Sequence, residues 1–208
     1  MSTRLYLSAF CLALQLFNGL GSCAFVPEQD QVSEEILSRD ATLDVRGKST
    51  VCEDIAAVLQ SGKVAYPSSA QYNASLQNYY AAQESALEPG CFVRPTSAED
   101  VSKTVKVLAK AYNLDKSQKF AFKSGGHTSW AGAANIEDGV TIDLGSLNAT
   151  TLSKDRTTAA IGPGATWGQV YKDLDPYGLS VTGGRVAAVG VGGLTLGGKL
   201  SHAERSCL

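Results

Sequence analysis

Sixteen of the 21 glycines in this 208-residue chain lie between Gly125 and Gly198. Glycine loses more conformational freedom on folding than any other residue, so clusters of it need a reason: turns with φ > 0, close backbone approach, or N–H groups presented to an anion. The clusters read SGGH from Ser124, GPGATWG from Gly162 and GGRVAAVGVGGLTLGG from Gly183. Two readings account for them at this level. One is a set of loops that grips a phosphate-bearing cofactor; the other is a small, turn-rich β region.

Standard phosphate signatures do not fit. Gly193 precedes Gly198-Lys199 with P-loop spacing, but Leu200 stands where a Ser or Thr must ligate Mg²⁺. Gly190-Val191-Gly192 opens like a dinucleotide fingerprint, and Thr195 then takes the place of its third glycine. With His127 and His202 the only histidines and the cysteines widely spaced, no metal site is expected. His127 has no Ser or Cys partner in a triad context, and Asp and Glu fall mostly at expected helix caps or exposed helix faces.

Hydrophobic spacing gives the elements. Val32, Ile36 and Leu37 fit a helix within residues 28 to 40. Thr50 and Glu53 form a capping box for a second helix, with Ile55, Val58 and Leu59 on its apolar face and Gly62 closing it. Residues 63 to 90 have no sustained period and read as an irregular lead-in. Cys91 to Val93 reads as a strand, Thr96 and Glu99 as a capping box, and Val101, Val105, Leu108 and Tyr112 as one helix face. Lys119 to Lys123 alternates as a half-buried strand, Val140 to Leu144, Thr157 to Ile161 and Leu179 to Thr182 are further strands, and Trp167, Val170, Tyr171 and Leu174 mark a short helix. Mixed order without strict alternation predicts an α+β fold.

A net charge of -2 with no local Lys/Arg cluster lacks the electrostatic footprint of a nucleic-acid binder. Arg4, the apolar run from Leu5 to Phe17, and small residues Ser22 and Ala24 before Phe25 predict a signal peptide over residues 1–24, too short in its apolar core for a membrane span. Removing it leaves Cys52, Cys91 and Cys207. In an oxidising compartment the first two can pair, closing a loop of about forty residues; the alternative is two buried thiols. Asn73-Ala74-Ser75 and Asn148-Ala149-Thr150 have the form of glycosylation acceptors.

Taken in order, Cys91-Phe92-Val93-Arg94-Pro95, Phe120 through His127, Gly139 to Leu144, Gly162 to Gly168, Tyr177-Gly178-Leu179, Gly183-Gly184-Arg185-Val186 and Val189 to Gly198 resemble the secreted FAD-linked oxidoreductases of the berberine-bridge-enzyme type. Their flavin domain is shared with vanillyl-alcohol oxidase and p-cresol methylhydroxylase, and the resemblance spans about residues 50 to 198. It implies a PCMH-type FAD-binding domain in which Ser124, Gly125, Gly126, His127 and Thr128 wrap the FAD pyrophosphate. The resemblance further implies that Gly183, Gly184, Gly190, Gly192, Gly193, Leu194, Gly197 and Gly198 lie on its pyrophosphate and adenosine side. It also implies that His127 is joined covalently to the flavin 8α carbon, against the alternative of a structural histidine, and that the glycines keep side chains out of the pyrophosphate's way.

After Gly198 the pattern departs: Lys199 to Leu208 lacks the glycine and the second flavin motif that the family carries, so Cys207 inherits no flavin-linking role. The expected layout is a signal peptide (1–24), a lead-in with a disulfide (25–86), a partial FAD-binding domain (87–198) and a divergent tail (199–208). Such a truncated chain is expected to be poorly stable and to hold FAD weakly. The implied activity is oxidation of an alcohol or other small molecule, from a natural-product pathway or a sugar, with hydride passing to flavin and O₂ as acceptor. No catalytic residue is assigned. An inactive flavin-domain remnant and a secreted anion-binding module without catalysis stay open as rival readings.

Overall fold

The structure is a computed structural model and describes residues 49–198. The expected signal peptide, the helix within 28–40 and the tail from 199, with His202 and Cys207, lie outside the described residues.

A strand covered on both faces needs every side chain to tolerate burial, and Cys-Phe-Val and Val-Thr-Ile-Asp are the two short segments buried at all positions. They become the inner strands of a sheet. Its members are β1 (Val64–Ala65), β2 (Cys91–Val93), β3 (Phe120–Lys123) and β4 (Val140–Asp143), in the order β1-β2-β4-β3. β2 and β3 run parallel to β4, and β1 returns antiparallel beside β2. A hairpin of β5 (Thr150–Leu152) and β6 (Ala159–Ile161) stands apart. The helices are α1 (Ser49–Val58), α2 (Ala70–Gln77), α3 (Ala82–Ser85), α4 (Ala98–Leu114), α5 (Trp167–Leu174) and α6 (Val191–Leu196).

Successive residues of a strand face opposite sides, so the sheet has two different linings. On one side Cys91, Val93, Val140 and Ile142 pack with Val51, Cys52, Ile55 and Leu59 of the α1 segment and Leu108 of α4. On the other, Phe92 joins Ala65 and Tyr72, its ring edge-on to Tyr72 at 5.1 Å. A second core gathers Ala165, Trp167, Val170, Leu174 and Val191 under the β5–β6 hairpin. Cys52 and Cys91 are joined by a disulfide that ties α1 to the first residue of β2.

Several expectations need correction. The lead-in 63–90 holds β1, α2 and α3; α2 is polar, and its cap is Ser69, which accepts the Tyr72 N–H. Thr50 sits inside α1, not ahead of it. The cap of α4 is Ser97 rather than Thr96: Ser97 accepts the Asp100 N–H, and the Asp100 carboxylate reaches back to the Thr96 N–H. Lys63 lies 2.6 Å from that carboxylate and, by this hydrogen bond, holds it well below the usual carboxylate range. On α4, Asp100, Thr104 and Leu108 are buried, Val101 and Val105 are half-buried, and Tyr112, near the helix end, is exposed. Leu179 to Thr182 is no strand: Leu179 and Val181 pack against the second core, but no neighbouring strand pairs with them among the described residues. Val191–Leu196 is a helix where the glycine pattern suggested a loop.

The disulfide spans 39 residues, which in the chain-entropy model contributes about 4 kcal/mol. Replacing both cysteines with alanine should therefore lower unfolding stability by about 2–5 kcal/mol, read as the shift of the urea midpoint at unchanged slope.

Candidate functional site

β3 ends in Lys123, whose side chain turns inward with Ala121 while Phe120 and Phe122 stay about two-fifths exposed. A buried ammonium needs full compensation, and it is supplied. Lys123 Nζ donates to the Ser75 carbonyl at 2.9 Å and to Asp143 Oδ2 at 3.2 Å, and it lies 4.5 Å from the Tyr79 ring centroid. Ser75 Oγ donates to the same carboxylate oxygen at 3.0 Å, and the Gly145 N–H to the other. Burial pushes the Lys123 ammonium's pKa down, and the Asp143 carboxylate opposes the shift. The Tyr79 phenol is pushed up by burial, with Asp143 and Glu84 adding to it, so it stays protonated and donates to the Ala134 carbonyl at 2.9 Å.

From this anchor the chain enters the SGGH loop. Ser124 Oγ donates to the Pro163 carbonyl at 2.6 Å and accepts the Gly192 N–H at 3.2 Å, so one hydroxyl joins all three glycine runs. Beside it two backbones cross. A Cβ on Gly125 would lie 2.6 Å from the Gly190 nitrogen and 2.7 Å from its Cα, and a Cβ on Gly190 would strike the Gly125 nitrogen in return. Gly183 and Gly184 pass so close over the Trp167 indole that a side chain on either would enter the ring. The expectation that the glycines exist to admit a pyrophosphate is thus corrected for these four: their immediate reason is contact with the protein itself. Gly193 is different, because a Cβ there meets nothing within 4 Å.

The loops enclose a cavity of about 950 Å³, at the upper end of the range of roughly 300–1,000 Å³ for small-molecule and cofactor sites. Of the thirteen residues expected to hold a cofactor, Ser124, Gly125, Gly126, His127, Thr128, Gly183, Gly184, Gly190, Gly192, Gly193, Leu194 and Gly197 line it; Gly198 does not. Among the described residues, the N–H groups of Gly125, Gly126 and His127 donate to no protein acceptor. The His127 imidazole is half-buried on the wall and stacks on Tyr80, ring centroids 4.0 Å apart.

Other contributors escaped sequence reasoning. Glu84 is fully buried, with Oε1 accepting the Ala133 and Ala134 N–H groups of the adjoining wall; its Oε2 has no hydrogen-bond partner. Asn135 donates to the Glu84 and Leu87 carbonyls and accepts from Thr141 Oγ1. Glu84 is the exception to the expectation that acidic residues here mostly cap helices or face water, whereas the buried Asp100 and Asp143 do cap, at the start of α4 and of the turn after β4. Arg185 puts a cation on the cavity wall, and its place inside the run GGRV was the signal available for it. The candidate glycosylation residues Asn73, on α2, and Asn148 are exposed and away from this wall.

The sequence model of a family described as FAD binding domain matches residues 89–207. Similar proteins include the FAD-dependent monooxygenase sdcF of Emericella nidulans, 45% identical over 76% of this chain and 33% of its own length. The FAD-dependent monooxygenase CTB5 of Cercospora beticola is 35% identical over 74% and 29%. Among solved structures, 6-hydroxy-D-nicotine oxidase from Arthrobacter nicotinovorans is 27% identical with a TM-score of 0.54, covering 64% of this chain and 28% of that one. Phl p 4.0202, a glucose dehydrogenase, shares the fold with a TM-score of 0.61 at 19% identity, over 75% of this chain and 33% of its own. The chain spans about a third or less of the length of these proteins.

The two kinds of glycine separate by substitution. Gly190→Ala forces backbone apart and should cost about 2–3 kcal/mol or more in chemical denaturation. Gly193→Ala, inside α6 with open space around it, should leave stability within about 1 kcal/mol and weaken FAD binding, measured by quenching of flavin fluorescence.

Proposed function

The chain belongs to the FAD binding domain family, and from that premise we propose that its glycine-lined cavity holds FAD in covalent linkage to His127. FAD is the cofactor, and the family is one of FAD-dependent oxidoreductases and monooxygenases. The observation that carries the reading is the wall itself. Free N–H groups of the SGGH loop, the open Cβ position of Gly193 and an imidazole without a hydrogen-bond partner among the described residues all border one cavity. The N–H groups of Gly125, Gly126 and His127 suit a diphosphate. Residues of the run from Gly183 to Gly197 line the same cavity, where Arg185 adds a positive charge.

When bound, the isoalloxazine ring supplies two-electron chemistry. Attachment would join an imidazole nitrogen of His127 to the 8α carbon, with the bound ring supplying the two-electron oxidation that the new bond requires. The chain's part is to present the His127 imidazole and to exclude side chains from the diphosphate path. We assign the turnover reaction to oxidation of an alcohol or other small molecule, by hydride transfer with dioxygen as acceptor. A natural-product intermediate is the preferred substrate class, since relatives in fungi carry monooxygenase names and a sugar is the alternative suggested by the glucose dehydrogenase fold relative.

Entry into the secretory pathway is part of the proposal. The signal-like residues 1–24, the two exposed acceptor asparagines and the Cys52–Cys91 bridge support it, and no helix among the described residues is long and apolar enough to cross a membrane. Sequencing the N-terminus of protein recovered from a secreting host should begin at Phe25; a retained Met1 would refute it. For the cofactor, protein precipitated in acid should keep flavin fluorescence in the pellet and lose it in His127→Ala. Acid-stable flavin in that variant would assign the linkage to another residue.

A further inference from the structure

Tyr80 is 69% exposed. Its ring lies flat against the His127 imidazole, centroids 4.0 Å apart and planes 11° from parallel. The placement begins in the backbone. Tyr80 donates its N–H to the Gly126 carbonyl at 2.9 Å, which fixes it beside the residue preceding His127. Tyr79 turns the other way, with its hydroxyl on the Ala134 carbonyl and its ring beside the Lys123 ammonium. Gly126 makes the approach possible, since a Cβ there would lie 3.0 Å from Tyr79 Cδ1 and 3.1 Å from the Asn78 carbonyl oxygen. Adjacent tyrosines thus serve different partners: one braces the loop from below, the other touches its histidine.

An imidazole with no hydrogen bond to hold it samples several χ1 and χ2 wells. A parallel ring at stacking distance removes much of that freedom, and stacking of this kind biases an equilibrium by roughly two- to twelvefold. We propose that Tyr80 is a positioning residue that holds the His127 imidazole in the orientation from which it joins the flavin 8α carbon. This role rests on the covalent linkage proposed above. Tyr80 stacks on the histidine and is not among the residues lining the cavity, so it acts through His127, by restricting rotation before the bond forms.

The test uses the full chain prepared without cofactor in riboflavin-starved cells, mixed with FAD and sampled by acid precipitation over time. Tyr80→Phe, which keeps the ring, should attach flavin at the wild-type rate. Tyr80→Leu, which keeps bulk without the ring, should attach it about five- to tenfold more slowly, with its initial non-covalent FAD Kd within about twofold of wild type. Attachment by Tyr80→Leu at the wild-type rate overturns the proposal. A matching loss of non-covalent affinity also overturns it, by showing that the ring supports the loop rather than orients the imidazole. His127→Ala is the separate control: acid-stable flavin in that variant brings down the linkage itself. Proton NMR of the cofactor-free protein gives a reading independent of loading. The His127 ring protons should lie upfield of their positions in Tyr80→Leu, and equal shifts would show that the stack does not exist.

Discussion

Two backbones touch where Gly125 meets Gly190, and the geometry of the cavity follows from that contact. Neither position has room for a Cβ, because each glycine occupies the space the other's side chain would need. The crossing brings the end of β3 against the start of α6, segments 65 residues apart in sequence, without intervening side chains. Ser124 then closes the junction by bonding to Pro163 and Gly192, so the third glycine run is drawn to the same point. A cofactor-sized space between three loops is the result, with eight glycines in its lining.

Such a site is only as well placed as the elements behind it. On the β3 side, Lys123 is held in the protein interior by Asp143, Ser75 and Tyr79, so the residue before the SGGH loop is fixed by β4 and α2 together. On the α6 side, Val191 enters the same core as Trp167, whose indole also supports Gly183 and Gly184. A buried ion pair is an expensive anchor in desolvation, but it is directional, and a loop that must present N–H groups at defined points gains from direction more than from apolar bulk.

Sequence alone made much of this legible and left a definite remainder. α4 and α5 were readable because their apolar residues recur at helical spacing, and β2 and β4 because they are short, nearly continuous apolar runs. The cavity residues were readable because glycine clustering and an ordered set of short motifs mark them. The inward turn of Lys123 was not: a lysine in an alternating strand is ordinarily assigned to solvent, and its partner Asp143 lies on another strand, 20 residues away. Nor was the Tyr80 stack, because nothing in the run Asn-Tyr-Tyr-Ala points 47 residues forward to His127. The helices α2 and α3 lack an apolar stripe strong enough to distinguish them from loop. For Gly125, Gly183, Gly184 and Gly190, which line the cavity, the structure supplies a cause the sequence did not, contact within the fold.

The Cys52–Cys91 bridge has a consequence for the order in which the molecule is made. Synthesis proceeds from the N-terminus and folding tends to follow it. Both sulfurs, and all of α1, β1, α2 and β2, leave the ribosome before any residue of β3 or β4. Yet β2 needs β4 as its parallel neighbour, and that strand arrives last of the four. With the covalent link made early, α1 and β1 already hold β2 in position, leaving one edge vacant for a partner still being translated. The bridge lets a strand destined for the middle of a sheet wait at its margin.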